Sequence, residues 1–405
     1  MEKKRIIRYF ALVHFLTTTS MSLWTYSTNY FRELGFTAHE IGILNAVGTF
    51  LSMVALPFIG LLSDRIGSSR KVYVTAVAVA VPLYLLIPAV GQTLAAPFVP
   101  MLLICAVCAV ARQTTNSMMD SWAGGEMARL DVSFGSIRRF GSLGFVLMSV
   151  FSSLLIGPVL PTWSFSVITP VLCIPLLIVI TGSRGEKFTQ ATPKQRASGT
   201  MSLLKFVFGN YYFVCYLLFV IAFDAFLAIL NLHMSYLMDY VGAQRSDIGY
   251  VGAVRATTEI VVFIIIGKMK KLPPLWVLLS ISGVLLAGEH LLYPVLTSLG
   301  GVMLVTLLSG IAGGFYYGLG ANYVFKIVDR RAAGTAMAVL GVVRSLIGVF
   351  GTGFGGDIIE RYGVTTLTTA VGWLILTLTV IFCLTSVLGR LILKKPYVTE
   401  EKTSL

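Results

Sequence analysis

The sequence has 405 residues, of which 56% are hydrophobic and only 12% are charged. Soluble domains carry about 25% charged residues, so these charges are too few to cover a soluble protein of this size. The net charge of +13 does not indicate a nucleic-acid partner, because the basic residues lie in short segments between apolar runs. Each run is roughly 20 residues long, the length of a helix that spans a bilayer.

Twelve apolar runs are predicted as transmembrane helices, numbered here as spans 1 to 12. The first run is too long for the apolar region of a signal peptide and is followed by no small-residue cleavage site, so we interpret it as a mature helix. The predicted spans are residues 6–33, 40–63, 71–91, 96–123, 135–158, 162–182, 208–240, 248–267, 274–296, 300–325, 333–356 and 364–392.

The one long polar stretch lies in the middle of the chain. It contains Gly185 and Pro193 among several charges and has no hydrophobic periodicity, which is typical of a linker. We therefore predict an N-terminal six-helix bundle at residues 1–183, a cytoplasmic linker at residues 184–205 and a C-terminal six-helix bundle at residues 206–405.

Most lysines and arginines lie in alternate loops, whereas the other loops hold only Arg32, Arg245 and Arg361. Basic residues remain on the cytoplasmic side of a membrane, so this asymmetry predicts that both termini and the linker are cytoplasmic. The prediction is a multi-pass protein of the cell membrane, in contact with lipid and with a small-molecule substrate. We expect no nucleic-acid partner and a functional monomer.

Span 2 ends with the string Gly60-Leu-Leu-Ser-Asp64-Arg65-Ile-Gly67. A similar string, from Gly356 to Gly363, ends span 11 on the opposite side, which is typical of inverted repeats in transporters. The first string resembles the loop signature of the major facilitator superfamily. The resemblance implies two six-helix bundles around a central cavity that opens alternately to either side.

The matched positions Gly60, Asp64, Arg65 and Gly67 form the predicted gate motif. A carboxylate is favoured near the N-terminus of a helix. We therefore expect Asp64 to contact the cytoplasmic start of another helix and to hold one face of the protein shut.

Ionisable side chains inside a bilayer are costly, so each is a candidate functional residue. The spans hold equal numbers of acids and arginines, which suggests that the charges are paired. The acids are Asp120, Asp224, Glu259 and Glu289, and the arginines are Arg112, Arg138, Arg255 and Arg344.

Arg112, Asn116 and Asp120 recur at intervals of four residues in span 4 and therefore share one helix face. A polar stripe on an apolar helix is expected to face a water-filled cavity. Trp122 lies beside the stripe and is predicted to stack on a flat substrate, while Arg138 opens span 5 after a short hairpin. The prediction is that these five residues bind the substrate; interfacial snorkelling of Asp120 and Arg138 is the alternative.

The stretch from Asp120 to Gly144 resembles the branch of the superfamily that contains lactose permease and the oligosaccharide, nucleoside and phenylpropionate proton symporters. In that branch an acid on helix 4 and an arginine on helix 5 hold a sugar, and these positions match Asp120 and Arg138. The resemblance also implies an intramembrane charge pair between helices 7 and 11, which matches Asp224 and Arg344.

Arg255 and Glu259 lie one turn apart in span 8 and are spaced for an intrahelical ion pair. Such a carboxylate can alternate between ionised and protonated forms, so Glu259 is the first candidate for the proton carrier. Glu289 and His290 in span 9 are the next candidates. Protons are the expected coupling ion, and no other cofactor is predicted.

The resemblance has a gap, because the branch couples protons through a histidine and a glutamate on helix 10. The matching stretch here, from Leu307 to Gly314, contains neither residue. No nucleotide-binding motif, metal cluster or nucleophile motif indicates an ATP-driven pump or an intramembrane enzyme. Proton-coupled uptake of a small hydrophilic solute, with sugars or oligosaccharides first, is the predicted function. Nucleosides, aromatic acids and proton-driven efflux of hydrophobic compounds remain alternatives, as does a passive channel.

Overall fold

The computed structural model describes residues 2–130, 132, 134–182, 205, 207–269, 271–328 and 332–393, so that the predicted linker lies outside the described residues except for Lys205. The helices that form the spans are α1 (Glu2–Ser22), α2 (Ser27–Glu33), α3 (Ala38–Ile66), α4 (Ser69–Thr93), α5 (Phe98–Arg129), α6 (Gly135–Leu155), α7 (Ser164–Gly182), α8 (Tyr211–Tyr240), α9 (Ile248–Lys268), α10 (Leu275–Leu292), α11 (Leu299–Ile327), α12 (Ala333–Tyr362) and α13 (Val364–Leu391).

Among the described residues, 11 helices are long and apolar enough to cross a membrane. Span 1 is built differently, because a 3-10 turn at Leu23–Tyr26 joins α1 to α2 and the first turns of α1 are basic. Together these helices give the twelve-span, all-α fold that the sequence predicted, and this prediction is confirmed. Helices are the expected structure, because every backbone polar group in lipid must be hydrogen-bonded within its own segment.

Several helices are longer than predicted, and in two of them the extra length changes the setting of predicted features. Helix α5 continues to Arg129, so Asp120 lies inside a helix rather than at its end. Helix α12 continues to Tyr362, so the string that begins at Gly356 is helical for most of its length. The longer helices extend beyond the apolar runs because exposed charged residues tolerate helical backbone outside the hydrocarbon core.

The last glycine of each of the two similar strings lies at the end of a helix. Gly67 caps α3 with a φ of 65°, and Gly363 follows α12 with a φ of 86°. Left-handed backbone is strained for residues that carry a Cβ, so glycine is favoured where a helix must stop abruptly. Both occurrences therefore mark the point at which one span ends and the chain turns into the next helix.

The described chain forms two compact units. Of the described residues, the first unit comprises 2–130, 132, 134–182, 244–253 and 352–360, and the second comprises 205, 207–243, 254–269, 271–328, 332–351 and 361–393. Within the first unit α4 packs on α5 and α7, and α1 packs on α7. The corresponding pairings recur in the second unit, where α10 packs on α11 and α13, and α8 packs on α13. This recurrence is the expected result of a parallel duplication of six helices.

Small residues allow the backbones of helices to approach closely in the first unit. A Cβ added to Gly144 of α6 would lie 2.7 Å from the carbonyl oxygen of Phe15 in α1. A Cβ added to Gly141, one turn earlier, would lie 2.8 Å from the hydroxyl oxygen of Thr18. Helix association in membranes depends on such close packing, because lipid provides no hydrophobic driving force between helices.

The segments of residues 244–253 and 352–360 join the first unit through specific contacts. Asn29 donates from Nδ2 to the carbonyl oxygen of Arg245 at 2.8 Å, and Ser153 donates to that of Ser246 at 2.7 Å. The backbone N–H of His39, at the start of α3, donates to Glu360 at 3.0 Å. These contacts lie at the side that the distribution of basic residues predicts to be outside the cell.

Candidate functional site

Four of the intramembrane charges of the second unit form two groups, and the first is centred on Asp224 of α8. Arg344 of α12 donates from Nε to Asp224 Oδ2 at 3.1 Å, and the hydroxyl of Tyr316 in α11 donates to the same oxygen at 3.2 Å. Arg344 also donates from Nη2 to the Tyr316 oxygen at 2.9 Å. The ring of Phe223 stacks on Tyr316 with centroids 3.9 Å apart, which holds the hydroxyl in place.

The second group surrounds Glu289 of α10, whose side chain is completely buried. Its Oε1 accepts hydrogen bonds from the hydroxyl of Tyr293 and from that of Ser309 in α11, the latter at 2.8 Å. Arg255 of α9 places Nη2 3.9 Å from the same oxygen and donates from Nε to Ser309 at 3.0 Å. Glu289 Oε2 is buried without a hydrogen-bond partner.

Close packing of α9 on α11 brings Arg255 to this group. A Cβ on Gly310 would lie 2.8 Å from the carbonyl oxygen of Arg255, and one on Gly314 would overlap Val262. The stretch from Leu307 to Gly314 lacks a histidine and a glutamate, and its glycines instead form the surface against which α9 packs. This close approach lets Arg255 contact residues of α10 and α11 rather than of its own helix.

The predicted intrahelical pair between Arg255 and Glu259 is consequently not the ion pair that Arg255 forms. The guanidinium turns to Glu289 and lies over the ring of Phe226, 5.2 Å from its centroid. The Glu259 carboxylate lies instead beside Gly313 of α11, where an added Cβ would be 3.2 Å from Oε2. The spacing along α9 allows a pair between Arg255 and Glu259. The packing of the helices instead places Arg255 beside Glu289, which is more deeply buried.

Two buried histidines adjoin the Glu289 group. The ring centroids of His233 in α8 and His290 in α10 are 5.6 Å apart, and both side chains are fully buried. Each Nδ1 lies 3.0 Å from the carbonyl oxygen four residues earlier, and donation to that carbonyl leaves Nε2 as an acceptor. Neither Nε2 has a hydrogen-bond partner. The pair is thus a compact set of acceptors beside a buried acid.

In the first unit, the partner of Asp120 is His14 of α1, with Nε2 and Oδ1 3.6 Å apart. Arg138 is exposed in the first turn of α6, and Asn116 is exposed on α5. Asp120 is itself half exposed, so it is accessible to a solute from its side of the helix. The structure therefore adds His14 to the acid that the sequence singled out.

The predicted stacking role of Trp122 is wrong, because its ring is 3% exposed and lies in the core of the first unit. It packs edge-on against Phe10 with centroids 4.9 Å apart, and Tyr9 and Tyr73 complete its surroundings. Trp122 lies two residues from Asp120, and this spacing on a helix turns the two side chains to different faces. A substrate has no access to this ring.

Arg112 of α5 lies beside a different tryptophan. Its guanidinium carbon is 4.4 Å from the ring centroid of Trp24, in the 3-10 turn between α1 and α2. The two residues line a cleft with Asn45 and Thr49 of α3. The tryptophan that faces the polar stripe is therefore Trp24, which comes from another span.

The predicted gate motif lies at the end of α3. Asp64 and Arg65 are exposed, and Gly60 and Gly67 have open space around their Cα atoms. The neighbouring Ser63 is buried and is 3.1 Å from the hydroxyl of Ser69 in α4. The motif thus forms an exposed turn between two spans, and the gating contact of Asp64 stays a prediction.

Comparison with known proteins identifies the family. The model of the MFS_1 like family matches residues 7–388, nearly the whole chain. The chain belongs to the major facilitator superfamily. The structure is similar to a mutant form of the nucleoside transporter NupG, with a TM-score of 0.79 and 17% identity over 94% of this chain and 99% of the other.

A bacterial homolog of the human lysosomal transporter Spinster, in an inward-facing and occupied conformation, is also similar. Its TM-score is 0.70 at 17% identity, and 98% of each chain is covered. At such identities the likeness shows the fold alone. No curated protein sequence matches the chain. The major facilitator fold is thereby established, and it is a fold of membrane transporters.

Several site residues were missed because their types carry little signal in a sequence. Tyr293, Ser309 and Tyr316 are ordinary hydroxyl residues of apolar spans, and only the packing shows that they contact acids. His14 carried a usable signal, because a histidine in the apolar part of span 1 is uncommon. Trp24 could be recognised only after its position relative to Arg112 was known.

Proposed function

We propose that this transporter is a proton-coupled symporter of a small hydrophilic solute that works by alternating access. Sugars and oligosaccharides are the first substrate class, with nucleosides and aromatic acids as alternatives. The observation that supports proton coupling best is Glu289, a completely buried carboxylate at membrane depth. Carrying a charge in that position costs free energy, and binding one proton removes the charge.

Glu289 is a better candidate for the proton carrier than Glu259, which the sequence favoured. In its ionised form Glu289 attracts Arg255 and accepts hydrogen bonds from Tyr293 and Ser309. Protonation would weaken the attraction of Arg255, which could then move relative to α10. Among the described residues that contact Glu289, Arg255 is charged, whereas Tyr293 and Ser309 are neutral hydroxyl donors.

The coupling that we propose follows from this competition between a proton and Arg255 for one carboxylate. Arg255 belongs to α9 and Glu289 to α10, so the protonation state of the acid changes how tightly these two helices are held. A transporter needs such a two-state element, because the proton must bind on one side of the membrane and leave on the other. The Asp224–Arg344 pair is assigned the structural role of joining α8 and α12.

The proposed setting is the cell membrane, with both termini in the cytoplasm and a functional monomer. The distribution of basic residues supports this orientation. An enzymatic activity is not proposed, since the family and the similar structures are transporters. Nucleosides are included in the substrate panel because NupG, which is similar in fold, is a nucleoside transporter.

The proposal is tested in proteoliposomes with a panel of radiolabelled sugars, nucleosides and aromatic acids. The wild type is expected to accumulate one class uphill when a pH gradient is imposed. Glu289→Gln should only equilibrate that solute, while exchange of internal for external solute continues. Glu259→Gln is the matched control and should retain accumulation.

Three outcomes would overturn parts of the proposal. If Glu259→Gln loses accumulation and Glu289→Gln keeps it, the proton carrier is Glu259. If the wild type moves solute without any response to the pH gradient, proton coupling itself is refuted. Loss of both accumulation and exchange in Glu289→Gln would instead indicate a purely structural carboxylate.

A further inference from the structure

Arg112 differs from the intramembrane arginines of the second unit. Arg255 and Arg344 each have a carboxylate partner, whereas Arg112 lies against the aromatic face of Trp24. The nearest acid on its own helix face, Asp120, lies two turns away, with Oδ1 3.6 Å from Nε2 of His14. An arginine at membrane depth is costly without a counter-charge. Arg112 is therefore a cation whose charge a bound anionic ligand can neutralise.

A narrow cleft lies beside Arg112. Its cavity volume is about 40 Å³, which admits the carboxylate end of a ligand, and it opens to solvent between α3, α5 and the turn that joins α1 to α2. Small residues form part of its wall, since a Cβ on Gly48 of α3 would lie 2.9 Å from the Cβ of Ala109 in α5.

Trp24 provides the aromatic face against which the guanidinium lies. Its own ring is fixed by edge-on contacts with Phe31, Tyr84 and Phe165, with centroid distances of 6.4, 5.7 and 6.1 Å. A guanidinium that stacks on an aromatic face keeps its N–H groups in the plane, where they can donate to a carboxylate in a bidentate manner. Arg112 is therefore set up to bind an anion at its edge.

The opposite wall of the cleft presents acceptors. Asn45 donates from Nδ2 to the carbonyl oxygen of Ile41 at 3.0 Å, which leaves its Oδ1 free to accept. Thr49 donates its hydroxyl hydrogen to the carbonyl oxygen of Asn45 at 2.8 Å, which leaves the lone pairs of its oxygen. A ligand that satisfies both walls carries a carboxylate at one end and hydroxyl donors at the other.

We infer that this cleft binds a small hydroxylated carboxylate, such as a sugar acid, with the carboxylate on Arg112 and the hydroxyls on Asn45 and Thr49. This inference rests on the proposed function, because it names the class of hydrophilic solute that the transporter carries. The inference narrows the proposed substrate class from neutral sugars to sugar acids.

The test uses the full-length protein in detergent and measures thermal unfolding against ligand concentration. Glucuronate is the probe, and glucuronamide is its neutral counterpart of nearly the same shape. We expect glucuronate to raise the unfolding temperature and to bind at least about tenfold more tightly than glucuronamide, because a charge-assisted bidentate contact is lost in the amide. Binding to the native state raises apparent stability.

Variants assign the effect to the cleft. Arg112→Gln should abolish the preference for the acid, and Arg112→Lys should retain part of it because the charge remains. Arg139→Gln is the matched control: it removes one exposed positive charge from the first unit, outside the cleft, and should leave the preference unchanged. If Arg112→Gln fails to fold, Thr49→Val provides a second test and should weaken both probes.

The inference is overturned if glucuronate fails to stabilise the wild type, if the amide binds equally well, or if Arg112→Gln keeps the preference. These measurements need no ion gradient, so they separate the inference from the proposed function. Binding of glucuronate without pH-driven accumulation would refute proton coupling and leave the cleft assignment intact. Accumulation of a neutral sugar without glucuronate binding would support proton coupling and refute the cleft assignment.

Discussion

The ion pair between Asp224 and Arg344 provides a sharp test of how charges are held within this protein. The two partners are unequally buried, with 6% of the Asp224 side chain and 40% of the Arg344 side chain exposed. Removing one partner leaves the other as an unpaired charge, and the cost depends on whether that charge can reach water. The two single substitutions should therefore differ.

Arg344→Gln leaves a buried carboxylate with Tyr316 as its remaining donor among the contacts described above. Breaking a buried pair costs about 3 to 5 kcal/mol, so we expect a loss of about 3 kcal/mol in the free energy of unfolding. Asp224→Asn leaves a guanidinium that is partly exposed and keeps the Tyr316 oxygen as an acceptor. We expect a smaller loss, about 1 to 2 kcal/mol, because solvent screens the remaining charge.

The double substitution removes both charges and should restore part of the stability. A double-mutant cycle on the purified protein, unfolded reversibly in mixed detergent, gives the coupling energy directly. We expect a favourable coupling of about 1 to 3 kcal/mol, as found for residues in one ion-pair network. Tyr316→Phe is the control for the hydroxyl alone and should cost about 1 kcal/mol.

Additive losses in the double variant would refute the reasoning, because they would mean that neither charge depends on the other. Equal losses in the two single variants would refute the argument from unequal burial. The cycle needs no substrate, so its outcome is independent of what the protein transports.

Three further outcomes are expected from the packing of the first unit. Trp122→Ala should reduce the free energy of unfolding by about 3 to 5 kcal/mol, measured by detergent unfolding, while solute affinity is unchanged; a selective loss of affinity would contradict the core position of the ring. Gly144→Leu should sharply lower the yield of folded protein in size-exclusion chromatography, whereas Gly341→Leu, at a helix surface with open space, should not. Asp120→Asn and His14→Gln should change solute affinity by similar factors, since each removes the same contact; unequal binding constants would show that they act separately.

The helices of this protein could be predicted almost completely from its sequence. A chain in lipid must satisfy its backbone polar groups within each segment, so an apolar run of sufficient length has few alternatives to a helix. The ends of the helices were predicted less well: spans 2 and 11 were expected to end at residues 63 and 356, whereas the helices continue to Ile66 and Tyr362, just before Gly67 and Gly363. The composition of each segment was enough to predict that it is a helix because the bilayer acts on every residue locally.

The partners of the charged side chains depended on the tertiary structure. Spacing along one helix placed Arg255 near Glu259, but glycines on α11 let α9 approach so closely that Arg255 reaches Glu289. Trp122 neighbours Asp120 in sequence, yet the rotation of α5 buries its ring. These choices depend on the rotation and approach of neighbouring helices, which small residues on other spans set, and that information is spread over the whole chain rather than carried by any one span.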